Sequence, residues 1–127
     1  MENMENNGVI RVAIADDQEL VRAGFAMVIN SQKDMQVVAQ AANGNEIVEV
    51  ASKENPDVIL MDVRMPNMDG LEATREILQE DANSNTHIII LTTFDLDEYV
   101  MSAIHTGASG FLLKDTEPET LLNSIRT

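Results

Sequence analysis

Apolar residues along this chain fall into short β-branched runs, and between the runs they recur at helical spacing. Residues 9–15 (VIRVAIA), 58–61 (VILM) and 87–91 (HIIIL) are nearly continuous apolar segments of strand length, the pattern of strands buried on both faces. Residues 35–42 (MQVVAQAA) and 109–113 (SGFLL) supply two more. After the first run, Val21, Gly24, Phe25 and Val28 recur at i, i+3, i+4 and i+7, predicting a helix that packs by that stripe and closes at Asn30 and Ser31. Asn43 with Glu46 three residues on has the form of a capping box and predicts a helix through Lys53, which Pro56 ends. A third helix is predicted from about Leu71, and Val100, Ala103, Ile104 and Gly107 supply a fourth stripe. Thr116 and Glu119 repeat the capping-box spacing with Pro118 in the first turn, so Leu121, Leu122 and Ile125 begin a fifth helix that the chain barely completes.

Five such strands alternating with five helices predict an α/β three-layer sandwich, its parallel strands joined by right-handed crossovers and covered by helices on both faces. In open sheets of this kind, functional groups collect outside the carboxyl ends of the strands, near the topological switch point. The strand ends here are polar: Asp16 and Asp17 after the first, Asp62 after the third, Thr92 and Thr93 after the fourth, and Lys114 after the fifth.

Composition narrows the function. With 127 residues, one domain with one core is expected. Eight Lys plus Arg against 22 Asp plus Glu leave a formal charge of −14, which repels a phosphate backbone or an anionic membrane, so direct binding of either is not expected. Cysteine is absent, which excludes disulfides, thiolate zinc sites and a cysteine nucleophile. Residues 1–7 are acidic and Asn-rich, without the positive start and apolar run of a secretory signal; a cytoplasmic protein is the default.

Three carboxylates at adjacent strand ends repel one another. At an effective dielectric of ~20, two unit charges ~5 Å apart cost about 3 kcal/mol, so the group needs a cation or a proton. Hard oxygen donors with neither His nor Cys beside them favour Mg²⁺. Lys114 adds a fixed positive charge and Thr92 a hydroxyl. A carboxylate held among a divalent cation, an ammonium and a hydroxyl suits an incoming phosphoryl group, whose transition-state charge lies on its equatorial oxygens. Asp62 is the candidate nucleophile: it follows the central strand, it precedes a loop and so is expected to be accessible, and an ionised carboxylate needs no general base. Asp17, and Asp16 through water, would hold the metal. Singly, each group has an ordinary reading, as a turn, a cap or a solvated charge; their coincidence on one edge carries the functional one. His87 and His105 show no ligand spacing.

Asp16 and Asp17 after the first strand, Asp62 followed by Met65, Pro66, Asp69 and Gly70, Thr92 after the fourth, and GASGFLLK at 107–114 together resemble the receiver domain of bacterial two-component response regulators. Leu-Leu-Lys-Asp at 112–115 resembles the LuxR/NarL (FixJ) type of transcription regulator, with Asp115 where many other receivers have Pro. The resemblance implies a flavodoxin-like sheet of order 2-1-3-4-5, with residues 1–8 as a tail and 9–127 as the receiver. It implies that Asp62 accepts phosphate from a sensor histidine kinase, that Asp17, Asp62 and the Arg64 backbone carbonyl ligate Mg²⁺, and that Lys114 and Thr92 contact the phosphoryl oxygens. It further implies a switch that couples Thr92 to Phe111, modulation of phosphate lifetime by Arg64 and Phe94, and a homodimer on activation. DNA would be bound only through a C-terminal helix-turn-helix domain that is not in this sequence.

Two other classes share features with this pattern. A hydrolase of the haloacid-dehalogenase type also uses an Asp nucleophile but normally carries a second Asp two residues later, where this chain has Arg64. A flavin-binding protein or degenerate receiver of the same architecture is disfavoured by the intact acid, Thr and Lys set and by the lack of a Thr/Ser/Gly-rich phosphate loop after the first strand.

Overall fold

The computed structural model describes residues 8–63, 65–79, 85–92, 107–114 and 116–126. The strands are β1 (Ile10–Ala15), β2 (Met35–Ala41), β3 (Val58–Asp62), β4 (His87–Thr92) and β5 (Gly110–Leu113). Four helices lie among the described residues: α1 (Glu19–Asn30), α2 (Gly44–Glu54), α3 (Gly70–Gln79) and α4 (Pro118–Arg126). The helix expected around Val100 to Ile104 lies outside the described residues, so α4 is the helix expected as the fifth. It begins at Pro118, one residue later than a cap at Thr116 implies.

All strand pairs are parallel and the order is β2-β1-β3-β4-β5. β1, β3 and β4 divide their side chains by alternation, as the pleat requires, whereas in β2 the register with β1 shifts after Val37, so Met35 and Val37 face one core and Ala39 and Ala41 the other. Ala13, Ala15, Ile59, Met61, Ile88 and Ile90 pack with Ile47 and Ala51 of α2 and Leu71, Ala73 and Ile77 of α3. Val12, Ile14, Val58, Leu60, Ile89 and Leu91 pack with Ala26 and Ile29 of α1 and Leu121, Leu122 and Ile125 of α4. Burial on both faces explains why these strands read as unbroken apolar runs.

α1 packs by a face shifted from the expected stripe, with Phe25 and Val28 of that stripe at its side against the same core. Ala26 and Ile29 are its buried residues, Val21, Phe25 and Val28 are half-buried, and Gly24 is exposed. The sequence ELVRAGFAMVIN is apolar nearly all round, so spacing alone does not single out one stripe. The capping box of α2 forms in modified shape: Asn43 Oδ1 accepts the Glu46 N–H at 3.0 Å, while Glu46 Oε1 accepts the N–H of Ala42 at 2.8 Å. Asn55 ends α2 in the left-handed region at φ 47°, a conformation Asn tolerates better than most residues.

Register positions the strand ends. Ala15 pairs with Met61, so the next residues, Asp16 and Asp62, emerge side by side, and Asp62 pairs with Leu91 one step before Thr92. Leu113 pairs with Thr92, which brings Lys114 to the same edge.

Candidate functional site

Asp16, Asp17 and Asp62 each offer a carboxylate oxygen, and these atoms all lie within 4.8 Å of one another. Asp16 has no exposed surface and Asp62 is 4% exposed, whereas Asp17 is exposed. Lys114 Nζ sits between the two buried acids, 3.0 Å from Asp16 Oδ2 and 3.1 Å from Asp62 Oδ1. Burial works against the charge on Lys114, but its hydrogen bond to Asp16 and the charge of Asp62 outweigh that cost, and its pKa is raised above the ordinary lysine value. Three carboxylates less one ammonium leave two negative charges in excess, a charge that one divalent cation cancels. All the donors are hard carboxylate oxygens, which suits a cation of that class.

Local structure fixes each acid. The N–H of Asp16 donates to the Ala41 carbonyl at 3.0 Å, its Oδ1 accepts the Gln18 N–H at 2.9 Å, and its carbonyl accepts Arg22 Nη1 at 2.6 Å. With those groups engaged, Oδ2 is turned to Lys114. Lys114 is held in turn by its own N–H, which donates to the Thr92 carbonyl at 2.7 Å. Beyond Asp62, the chain is tied by Val63 N–H to Leu91 O at 3.3 Å and by Gly70 N–H to Val63 O at 2.8 Å. Asp69 Oδ1 then caps α3 by accepting the Glu72 N–H at 2.9 Å.

One expectation is corrected. Asp62 is not accessible merely because a loop follows it: Val63 and Met65 are buried, and the loop folds back so that Gly70 lies against the Asp62 carbonyl. The open side of the cluster is that of exposed Asp17. Thr92 is half-buried at the end of β4, and Phe111, with 39% of its surface exposed, is not the enclosed core aromatic that a strand position suggests. Arg64 and Phe94 lie outside the described residues, as does His105. His87 begins β4 at the opposite edge of the sheet, where its Nδ1 lies 3.1 Å from Ser109 Oγ. Arg22 was not singled out from sequence; its signal was a basic residue in the first turns of the helix that follows the acid pair. No described helix is long and apolar enough to cross a membrane.

Comparison with known proteins gives a consistent result. The family model described as "Response regulator receiver domain" matches residues 12–126. The uncharacterized transcriptional regulatory protein YxjL of Bacillus subtilis is 54% identical over 121 residues, covering 95% of this chain and 55% of that protein. The oxygen regulatory protein NreC of Staphylococcus aureus is 45% identical over 119 residues, 93% of this chain and 54% of that protein. The chain thus spans about half the length of the curated relatives it matches. Among solved structures, the response regulator domain of Thermotoga maritima CheB superposes with a TM-score of 0.85 at 34% identity, covering 93% of this chain and 94% of that one. A LuxR-family DNA-binding response regulator from Staphylococcus aureus gives 0.84 at 29% identity, covering 94% and 100%.

Proposed function

This chain belongs to the response regulator receiver domain family and is of the LuxR/NarL type, and on that premise we propose that Asp62 is its phosphoacceptor. It is a signalling domain rather than a classical enzyme. The observation that carries the assignment is the setting of the Asp62 carboxylate, buried beside the Lys114 ammonium at 3.1 Å and within 4.8 Å of two further acids.

In the proposed transfer, one Asp62 oxygen attacks the phosphorus of a histidine kinase's phosphoimidazole. A P–O bond forms, the P–N bond breaks, and its electron pair leaves on the imidazole nitrogen; the product is an acyl phosphate. Lys114, already poised over Asp62, and the hydroxyl of Thr92 receive the phosphoryl oxygens. Asp17, Asp62 and the Arg64 carbonyl, with Asp16 through water, would hold Mg²⁺, which when bound supplies the positive charge that the cluster and the phosphoryl oxygens require. In this reading Arg64 and Phe94, by their positions two residues after Asp62 and Thr92, tune the phosphate lifetime, and the domain assists its own dephosphorylation.

The output follows from the same edge. Thr92 moves toward the phosphate, Phe111 turns inward from its half-exposed position, and the altered face promotes a homodimer. Phe111 has no phenolic hydroxyl, so only its packing reports the switch. In this reading residues 9–127 form the receiver, residues 1–8 are a tail, and a DNA-binding domain in the longer protein acts on transcription in the cytoplasm.

Mass spectrometry after treatment with acetyl phosphate and Mg²⁺ tests the assignment. One phosphoryl group is expected on the parent chain and none on Asp62→Asn; equal uptake by both would remove Asp62 from its role. Beryllofluoride with Mg²⁺ tests the output, with shifts expected in amide spectra and an increase in sedimentation coefficient. Unchanged spectra would refute the switch, and unchanged sedimentation the dimer.

A further inference from the structure

The loop from β3 to α3 follows directly on Asp62 and is gripped at two points where no side chain fits. A Cβ at Gly70 would overlap the carbonyl oxygen of Asp62 and stand 3.0 Å from Val63 Cα. A Cβ at Gly44, the first residue of α2, would overlap the carbonyl oxygen of Met68 and stand 2.5 Å from its Cβ. Neither glycine has a positive φ, so what each position requires is the close approach and not a special backbone conformation.

The contact at Gly44 is also a bond. Its N–H, one of the donors that a helix start leaves unpaired within the helix, donates to the Met68 carbonyl at 3.0 Å. α2 is itself fixed to the sheet by Ile47 and Ala51, neither of which has any exposed surface. The loop is therefore pinned near its far end to a rigid helix, and at Gly70 to the backbone of Asp62 itself.

We infer that Gly44 is a positioning residue for the Asp62 site: its missing side chain lets α2 clamp the loop that follows the phosphoacceptor. The inference rests on the proposed role of Asp62 and its metal. Gly44 is buried and is not one of the acids of the cluster. It acts through Met68. A side chain at position 44 pushes Met68 away, and the displacement passes along a short, doubly tied loop to the Asp62 carboxylate.

The test is Mg²⁺ alone, titrated into the parent chain, Gly44→Ala, Met68→Gly and the double variant, and followed by amide NMR. Gly24→Ala, on the exposed face of α1 with open space around it, serves as the control. Gly44→Ala is expected to bind Mg²⁺ about tenfold more weakly and to take up phosphate more slowly, with the amides of β1, β3 and β4 in place. Met68→Gly keeps the carbonyl that Gly44 bonds but removes the side chain that packs the loop against the core and adds backbone freedom, and is expected to weaken Mg²⁺ binding in the same direction. The double variant loses the contact with Met68 Cβ but keeps the overlap with the Met68 carbonyl, and is expected to bind Mg²⁺ no more tightly than Gly44→Ala. A folded Gly44→Ala with parental Mg²⁺ affinity overturns the inference; should that variant not fold, parental affinity in Met68→Gly overturns it. A parent chain that binds no Mg²⁺ refutes instead the site reading on which the inference stands.

Discussion

The Lys114 ammonium stands 3.0 Å from Asp16 Oδ2, a carboxylate with no exposed surface. With Asp62 Oδ1 at 3.1 Å from the same ammonium, this pair offsets part of the repulsion among the three acids. Its two members are expected to have opposite effects on stability when the metal is absent.

In the presence of a chelator, Lys114→Met leaves the carboxylates facing one another and is expected to lower unfolding free energy by about 2 kcal/mol. Asp16→Asn keeps the oxygen that accepts the Gln18 N–H and removes a charge from a cluster in which each like pair costs about 3 kcal/mol at an effective dielectric of ~20. It is expected to raise stability by about 1 kcal/mol, the loss of the Lys114 pair offsetting the remainder. Urea denaturation of both variants checks the signs, and destabilisation by Asp16→Asn would contradict the account.

Mg²⁺ is expected to raise the thermal midpoint, because a ligand bound only by the native state stabilises it, by about 2.7 kcal/mol at a concentration one hundred times Kd. Asp17→Asn leaves the buried Asp16, Asp62 and Lys114 contacts in place and is expected to abolish most of that rise. A scanning-calorimetry series in Mg²⁺ distinguishes this from a general salt effect, which would persist in the variant.

The pH dependence has two limbs. Arg126 of α4 donates from Nε to Asp34 Oδ2 at 2.7 Å and from Nη2 to Oδ1 at 2.9 Å, and this hydrogen-bonded pair holds the Asp34 carboxyl below its ordinary value and Arg126 above its own. The contribution from Asp34 is full above the unfolded carboxyl pKa of about 3.9 and is lost as pH falls through the lower folded value. Lys114 works in the other direction. Its pKa is raised, so its contribution is full below the unfolded lysine pKa of about 10.4 and is lost as pH rises through the folded value. Stability curves of Asp34→Asn and Lys114→Met should flatten the acid and alkaline limbs respectively, the first effect being small and salt-sensitive because the pair is solvent-exposed.

Gly24 lies mid-helix in α1, exposed, with nothing within 4 Å of where a Cβ would be. Gly24→Ala is expected to stabilise the domain by about 0.5–1 kcal/mol through reduced freedom of the unfolded chain. Thermal melts read this directly, and a loss of stability would mean that the exposed face of α1 is in contact with something, such as a second copy.

Much of the architecture was legible in order along the chain. The β3 run and the alternation of runs with helical spacing gave the parallel sheet, and the Asn43–Glu46 spacing gave the start of α2. The acids, Thr92 and Lys114 could be assigned to one edge because a parallel sheet sends every strand end the same way. The face of α1 was legible only in part: Phe25 and Val28 of the expected stripe do pack against the core, but apolar residues surround that helix, so the 3.6-residue period did not centre the face on Ala26 and Ile29.

What the sequence determined by itself was the set of elements and the identity of the groups at their ends, since both follow from local periodicity and from where polar residues interrupt it. What only the tertiary structure decided was how those groups meet: Asp62 enclosed instead of open, Arg22 on the Asp16 carbonyl, Gly44 against Met68, and Arg126 closed on Asp34. Each of these joins residues on different elements, and their separation depends on sheet register and helix packing, which no single stretch of chain encodes.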